Sequence, residues 1–164
     1  MDLLDVSLIC STLSCTLVTG FVLTYALIVM PGLSKLEDKE FMKAFQVTDR
    51  EIQNNQPIFM LIWLGSIVSI FTTIFISIVS LGLHESWLMI LVGTFYLLGV
   101  QGITISIHLP LNERIQKMKI NEMNSEKLSA ERLNFEKNWN FFNIIRTIIA
   151  FLVCVILLLI LTMR

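Results

Sequence analysis

Charge is what this sequence has least of. Charged residues occupy 15% of its 164 positions, against about 25% in an ordinary soluble domain. Hydrophobic residues make up 55%, and mean hydropathy is +0.75. A chain of one-domain size has too little interior to bury that surplus, so much of it must face lipid. The net charge of -1 supplies no electrostatic footprint for nucleic acid, which is excluded as a partner. Histidine is scarce too: there are two, and no carboxylate stands inside a long apolar stretch. An intramembrane metal site is excluded on that ground. The three cysteines lack metal or redox spacing: Cys10 and Cys15 point different ways on one helix, and Cys154 lies in the last apolar stretch. They read as small packing residues, as do the eight methionines. No phosphate-binding glycine loop or nucleophile elbow occurs. Internal repeats, low-complexity segments and the interrupted helices of secondary transporters are also missing.

What is present is four long uncharged stretches. The first runs 6–30 and stops at Pro31-Gly32; the second runs 57–83, the third 86–109 and the fourth 139–163, the last with one charge, Arg146. Each is about 25 residues, or roughly 37 Å as a helix, against a hydrocarbon core of about 30 Å. Backbone groups in lipid must be satisfied within the segment, so these are helices. The expected fold is all-α: one membrane domain over 1–164, an integral four-helix bundle. Only His84-Glu85 separate the second and third spans, which forces a tight hairpin. The N-terminal run Met1-Asp2-Leu3-Leu4-Asp5 is acidic, whereas a secretory signal has a basic start, so the first stretch reads as a retained span.

Basic residues set the expected orientation. Lys35, Lys39, Lys43 and Arg50 lie in the loop 31–56; Arg114, Lys117, Lys119, Lys127, Arg132 and Lys137 lie in the loop 110–138. The opposite side has only Arg164. The positive-inside rule then places both long loops in the cytoplasm and both termini outside. The two loops read as amphipathic helical segments. Ser34-Lys35-Leu36-Glu37 has the form of a capping box. Behind it Leu36, Phe41, Ala44, Phe45 and Ile52 fall near one helical face, while Ile115, Met118, Leu128 and Leu133 punctuate the charges of the second loop. Such segments either lie on the headgroups or form a lid over a site.

Polar residues within the spans carry the functional reading. Arg146 follows Trp139 by seven residues, which sets it roughly 10 Å past the interface. A charge at that depth costs on the order of 3 kcal/mol on insertion scales and needs a partner, a wet cavity or a route to the surface. Asn143 shares its face. Gln101, His108 and Asn112 recur at seven and four residues on one face of the third span. Asn54, Asn55 and Gln56 open the second. All these groups except Gln101 belong to the loop-side ends of the helices, so a bundle gathers them into one polar cluster there. The far half holds only scattered serine and threonine.

Four segments in order carry a resemblance: Met30-Pro31-Gly32-Leu33, Asn-Gln-Pro-Ile-Phe-Met at 55–60, His-Leu-Pro-Leu-Asn-Glu-Arg-Ile at 108–115, and Trp-Asn-Phe-Phe-Asn-Ile-Ile-Arg-Thr at 139–147. Together they resemble the four-span membrane family that includes the fungal anthrone oxygenases and many bacterial proteins of unassigned activity. The resemblance implies a bacterial cell membrane protein and an oxygenase that needs no cofactor. On that reading His108 is the catalytic base, its ordinary pKa being about 6.5. Arg146 stabilises the substrate enolate. Asn112, Asn143, Gln101 and Asn55 orient the substrate and Trp139 stacks on its flat ring. The substrate class is an enolisable aromatic or another apolar small molecule held in the loop-side half. The alternative is a non-enzymatic protein that binds a lipid or a quinone-like ligand, or a structural subunit whose polar cluster only holds helices together. The expected partners are membrane lipid and an apolar small molecule; oligomeric state is left open.

Overall fold

The computed structural model describes Asp2–Arg164. Five helices account for nearly all of it: α1 (Leu3–Leu33), α2 (Asp38–Gln53), α3 (Pro57–Leu81), α4 (Trp87–Gln116) and α5 (Ser125–Thr162). No strand occurs among the described residues. α1, α3, α4 and α5 are each long and apolar enough to cross a membrane, and their outward faces carry large exposed side chains such as Leu61, Phe75, Leu98 and Phe151. The fold is an all-α helical bundle of an integral membrane protein. Around it α1 packs on α3 and α5, and α4 packs on α5. α3 meets α4 along Trp87–Tyr96. A Cβ on Gly93 would stand 2.5 Å from Ile74 Cδ1, so the missing side chain is what lets α3 and α4 close up near their hairpin.

Two prolines sit inside helices that continue past them. Pro31 was expected to end the first span, yet α1 runs on to Leu33. A proline lacks an N–H and its ring crowds the carbonyl four residues back. Here a π turn over Tyr25–Val29 precedes Pro31, and the Met30 N–H bonds the Tyr25 carbonyl. That wider turn re-spaces the carbonyls so that the helix survives. Pro110 is handled the same way, with π turns over Leu97–Gly102 and Thr104–His108. π turns concentrate at functional positions, and here they hold Tyr25, Thr104 and His108.

The capping box is found elsewhere than expected. Ser34 Oγ donates back to the Pro31 carbonyl, and Glu37 precedes α2 without a side-chain cap. The reciprocal pair is instead at the start of α1: Asp5 N–H donates to Asp2 Oδ1 at 2.8 Å, and Asp2 N–H to Asp5 Oδ2 at 2.9 Å. Arg164 joins both carboxylates, at 2.9 Å to Asp5 and 2.8 Å to Asp2, which ties the two ends of the described chain together.

The amphipathic loop segments pack on the end of the bundle. At 1.5 Å per residue the 38 residues of α5 extend about 57 Å, well beyond a hydrocarbon core of about 30 Å. Its charged first turns rise above the apolar layer, and α2 packs against them. Phe41, Met42 and Phe45 are fully buried against Leu128, Phe135, Trp139, Ile115 and Met30. Phe45 meets Phe135 edge to face at 4.6 Å. Arg132 fastens the turn before α2: it donates to the carbonyls of Ser34 and Leu36, pairs with Asp38 at 2.9 Å and covers the Phe41 ring at 4.5 Å. An apolar helical stripe buries more area against facing side chains than against headgroups, which is why α2 folds over the bundle end.

Several serine and threonine residues of the far half are paired across helices, whereas Thr12 Oγ1 is buried without a described partner. Ser11 and Thr73 share a hydrogen bond of 2.8 Å, Ser14 and Ser69 one of 2.9 Å, and Thr73 reaches the Ser7 carbonyl at 2.9 Å. They stitch α1 to α3 where lipid supplies no hydrophobic drive for helix association.

Candidate functional site

A cavity of about 610 Å³ lies at the loop-side end of the bundle, within the range of small-molecule sites. Its walls come from every helix: Val18, Val22 and Tyr25 of α1, Asp49 and Gln53 of α2, Phe59 and Trp63 of α3, Thr104, His108 and Asn112 of α4, and Trp139 and Arg146 of α5.

Trp139 is the hub. Its indole Nε1 donates to Asn112 Oδ1 at 2.9 Å. Its ring stands 5.0 Å from His108, 5.5 Å from Tyr25 and 6.0 Å from Phe45, centroid to centroid. The guanidinium carbon of Arg146 lies 5.6 Å from the same ring, within the range of a cation–π contact. Asn112 passes the chain on: its Nδ2 donates to Asp49 Oδ1 at 2.7 Å, and Gln116 Nε2 donates to Asp49 Oδ2 at 3.0 Å. Asn143 is buried behind the wall, its Nδ2 donating to the Val22 carbonyl and its Oδ1 accepting from Arg146 Nε at 2.9 Å. Arg146 Nη1 donates to Thr104 Oγ1 at 3.0 Å.

Several of the groups expected to meet a ligand bond one another. Asn112 spends both ends of its amide on Trp139 and Asp49, and Asn143 spends both of its own on Arg146 and α1. The Trp139 N–H is also taken. Two groups are left without full hydrogen-bond partners, the His108 ring nitrogens, themselves buried, and Arg146 Nη2. His108 is 2% exposed, and neither ring nitrogen meets a partner at hydrogen-bond geometry among the described residues. Arg146 is 7% exposed, its Nη2 bonds no described side chain or carbonyl, and no described carboxylate pairs with it. An imidazole and a cation without a carboxylate partner thus line one largely apolar chamber, a setting that favours a ligand oxygen bearing negative charge.

Of the residues expected to bind a ligand, Asn55 stands on the exposed rim, in the left-handed turn between α2 and α3 (φ 58°). Gln101 is not in the wall. It lies nearer the bundle middle, donating to Tyr96 Oη at 2.8 Å and to Ser66 Oγ at 3.2 Å. Asp49, Tyr25, Thr104 and Trp63 also line the cavity, and the polar pattern of the spans does not single them out. Asp49 carries a signal after all. Phe41, Phe45 and Asp49 follow one another at four-residue steps, which sets a carboxylate on the apolar stripe of α2.

Burial pushes the Asp49 carboxyl above its ordinary value, against the lowering effect of the Gln116, Gln53 and Asn112 amides. A raised folded-state pKa means that the docked protein binds the proton more tightly than the undocked one. The associated stability is complete below the unfolded value of 3.8 and is lost as pH climbs through the raised one. The protection of the α2 amides, measured relative to their intrinsic exchange rates, is therefore expected to fall across that interval in the native protein and to lose this pH dependence in Asp49→Asn. Constant protection in the native protein would refute the assignment.

A family model described as anthrone oxygenase matches residues 55–156. The match takes in α3, α4 and most of α5, and with them His108, Asn112, Trp139, Asn143 and Arg146. Neither Tyr25 nor Asp49 falls within it. No curated protein matches the chain, and no solved structure does. Since the matched segment spans more than half of its 164 residues, the chain belongs to the anthrone oxygenase family.

Proposed function

We propose that this protein is a cofactor-independent oxygenase that acts on an enolisable aromatic molecule in the loop-side cavity. The observation that carries the reading is the pairing of an unpartnered His108 imidazole with the uncompensated Arg146 guanidinium in one apolar chamber. A ring nitrogen of His108 removes a proton from the substrate methylene group. The electron pair left behind delocalises onto the carbonyl oxygen, which Arg146 stabilises. That electron-rich anion passes an electron to dioxygen, and the two radicals join through a new C–O bond as a peroxide. His108 gives its proton to the outer peroxide oxygen and then takes the second proton from the same carbon, so that the O–O bond breaks and hydroxide leaves. The hydroxide released takes the proton held by His108. For an anthrone the balance is one substrate and one dioxygen giving one anthraquinone and one water. The substrate supplies all the electrons. Trp139 offers its ring to a flat substrate, while Asn112 and Asn143 hold Trp139 and Arg146 in place rather than touching the ligand.

The membrane sidedness that accords with this reading has both long loops in the cytoplasm and both termini outside, since ten of the twelve lysines and arginines lie in those loops. Oxygen uptake by the purified protein supplied with anthrone tests the activity. The native protein is expected to consume one dioxygen per anthrone, and His108→Ala to lose about 100-fold in turnover. Absence of uptake, or equal turnover in the variant, would reject the enzyme and leave a ligand-binding protein.

A further inference from the structure

We infer that the cavity opens sideways into the bilayer, through a portal between α3 and α4, and takes a flat lipophile dissolved in the membrane rather than a solute from water. The inference rests on the cavity being a ligand site. Four helices in a ring have four seams, and three are closed at this level. Phe21 and Phe59 meet edge to face at 5.3 Å across the α1–α3 seam. The α1–α5 seam is shut by Tyr25 on Trp139 and by Asn143 on the Val22 carbonyl. Thr104 with Arg146, and Asn112 with Trp139, hold α4 to α5. The loop side is roofed by α2. There Asp49 accepts from Asn112 and Gln116, and Gln46 Nε2 donates to the carbonyls of Ile115 and Met118 at 2.7 and 3.0 Å.

The fourth seam behaves differently. α3 and α4 are tied by Tyr96 and Gln101 to Ser66. Beyond Gln101, toward the loops, no hydrogen bond or ring contact joins them among the described residues, while Trp63 of α3 and His108 of α4 both line the cavity. On these two helices the rim is apolar and turned outward: Ile58 is 65% exposed and Leu109 36%, and both line the cavity, whereas the exposed polar lining residues Thr48, Glu51 and Asn55 belong to α2 and the turn after it. The Ser66–Tyr96–Gln101 cluster therefore acts as the sill of the opening, which gives Gln101 a place in the site without ligand contact. The π turns of α4 lie along this same edge, where re-spaced backbone can bend the helix away from α3.

A reporter that does not depend on turnover tests the portal. With Trp63→Phe and Trp87→Phe, Trp139 is the one remaining indole, 2% exposed and lining the cavity. In phosphatidylcholine vesicles the lipid-soluble nitroxide 10-doxylnonane is expected to quench Trp139 at least several-fold more strongly than iodide does. Filling the rim with Ile58→Phe and Leu109→Phe should reduce that quenching to half or less. Leu61→Phe, on the lipid-facing side of α3, should leave it unchanged. Stronger quenching by iodide, no quenching by either agent, or equal quenching in the plugged and open proteins would overturn the portal. Because none of these readouts needs a reaction, a protein that admits the nitroxide but consumes no oxygen would reject the oxygenase and keep the portal.

Discussion

Replacing Arg146 with leucine is expected to lower anthrone turnover by about 10³-fold, the upper end for losing one group that stabilises a developing oxyanion, while leaving the bundle folded. The two halves of that expectation come from one geometry. The guanidinium is buried without a described carboxylate beside it, so the folded protein bears its desolvation uncompensated. Leucine removes that cost. What it leaves behind is modest, because Asn143 Oδ1 loses one donor and Thr104 Oγ1, which itself donates to the Val100 carbonyl, loses another. The net change in stability should stay within about 2 kcal/mol. A structural role predicts the opposite pattern, with failure to assemble in Arg146→Leu and rescue by any long polar side chain. Arg146→Lys separates charge from shape. It keeps the cation but cannot reach Asn143 and Thr104 with one planar fork, so partial turnover in lysine against almost none in leucine marks an electrostatic role. Thermal unfolding in detergent and oxygen uptake on the same preparations read the two quantities separately. An Arg146→Leu protein that folds and turns over normally would remove Arg146 from the mechanism.

Phe45→Ala is expected to cost about 3–5 kcal/mol, the range for deleting a fully buried phenyl ring, and to release α2 from the bundle end without melting the spans. Phe45 is 0% exposed and touches Phe135 and Trp139 edge to face. α2 is otherwise held by few groups that lie outside the apolar layer: Phe41 and Met42, the Asp49 and Gln46 hydrogen bonds, and the Arg132 clamp on the turn before it. The spans are secured by their own apolar cores and by hydroxyl pairs, none of which includes Phe45. Amide exchange should therefore rise across 38–53 and remain slow in α1, α3, α4 and α5. Trp139 should become accessible to iodide as the roof lifts. Unchanged exchange in α2, or simultaneous loss of all helices, would contradict a separately docked roof.

How much could be read beforehand differs from one feature to the next. Uncharged runs of about 25 residues must be helices in lipid, whatever packs around them, because their backbone groups have no other partners. The loop-side gathering of His108, Asn112, Trp139, Asn143 and Arg146 follows from helix length and the alternation of direction, and no tertiary contact is needed to foresee it. Pro31 shows where local rules stop: a proline signals an ending, but a π turn costing little in a packed bundle carries α1 through to Leu33. Asp49 shows a different limit. It lies in a charged amphipathic segment, where one more carboxylate is unremarked until α2 is seen to fold back over α4.

The sequence by itself determined the solvent, the number of crossings and the end of the bundle that carries the polar groups, because hydropathy and helical rise act residue by residue along the chain. Only the tertiary structure decided what those groups do for one another. Asn112 and Asn143, expected to meet a ligand, each make one donor and one acceptor contact within the protein, Asn112 to Asp49 and Trp139, Asn143 to the α1 backbone and Arg146. His108 and Arg146 keep free valence. Gln101 lies outside the wall, and α2 lies over the cavity. Each of these outcomes depends on which donor finds which acceptor across residues tens of positions apart, and no spacing within one segment encodes that.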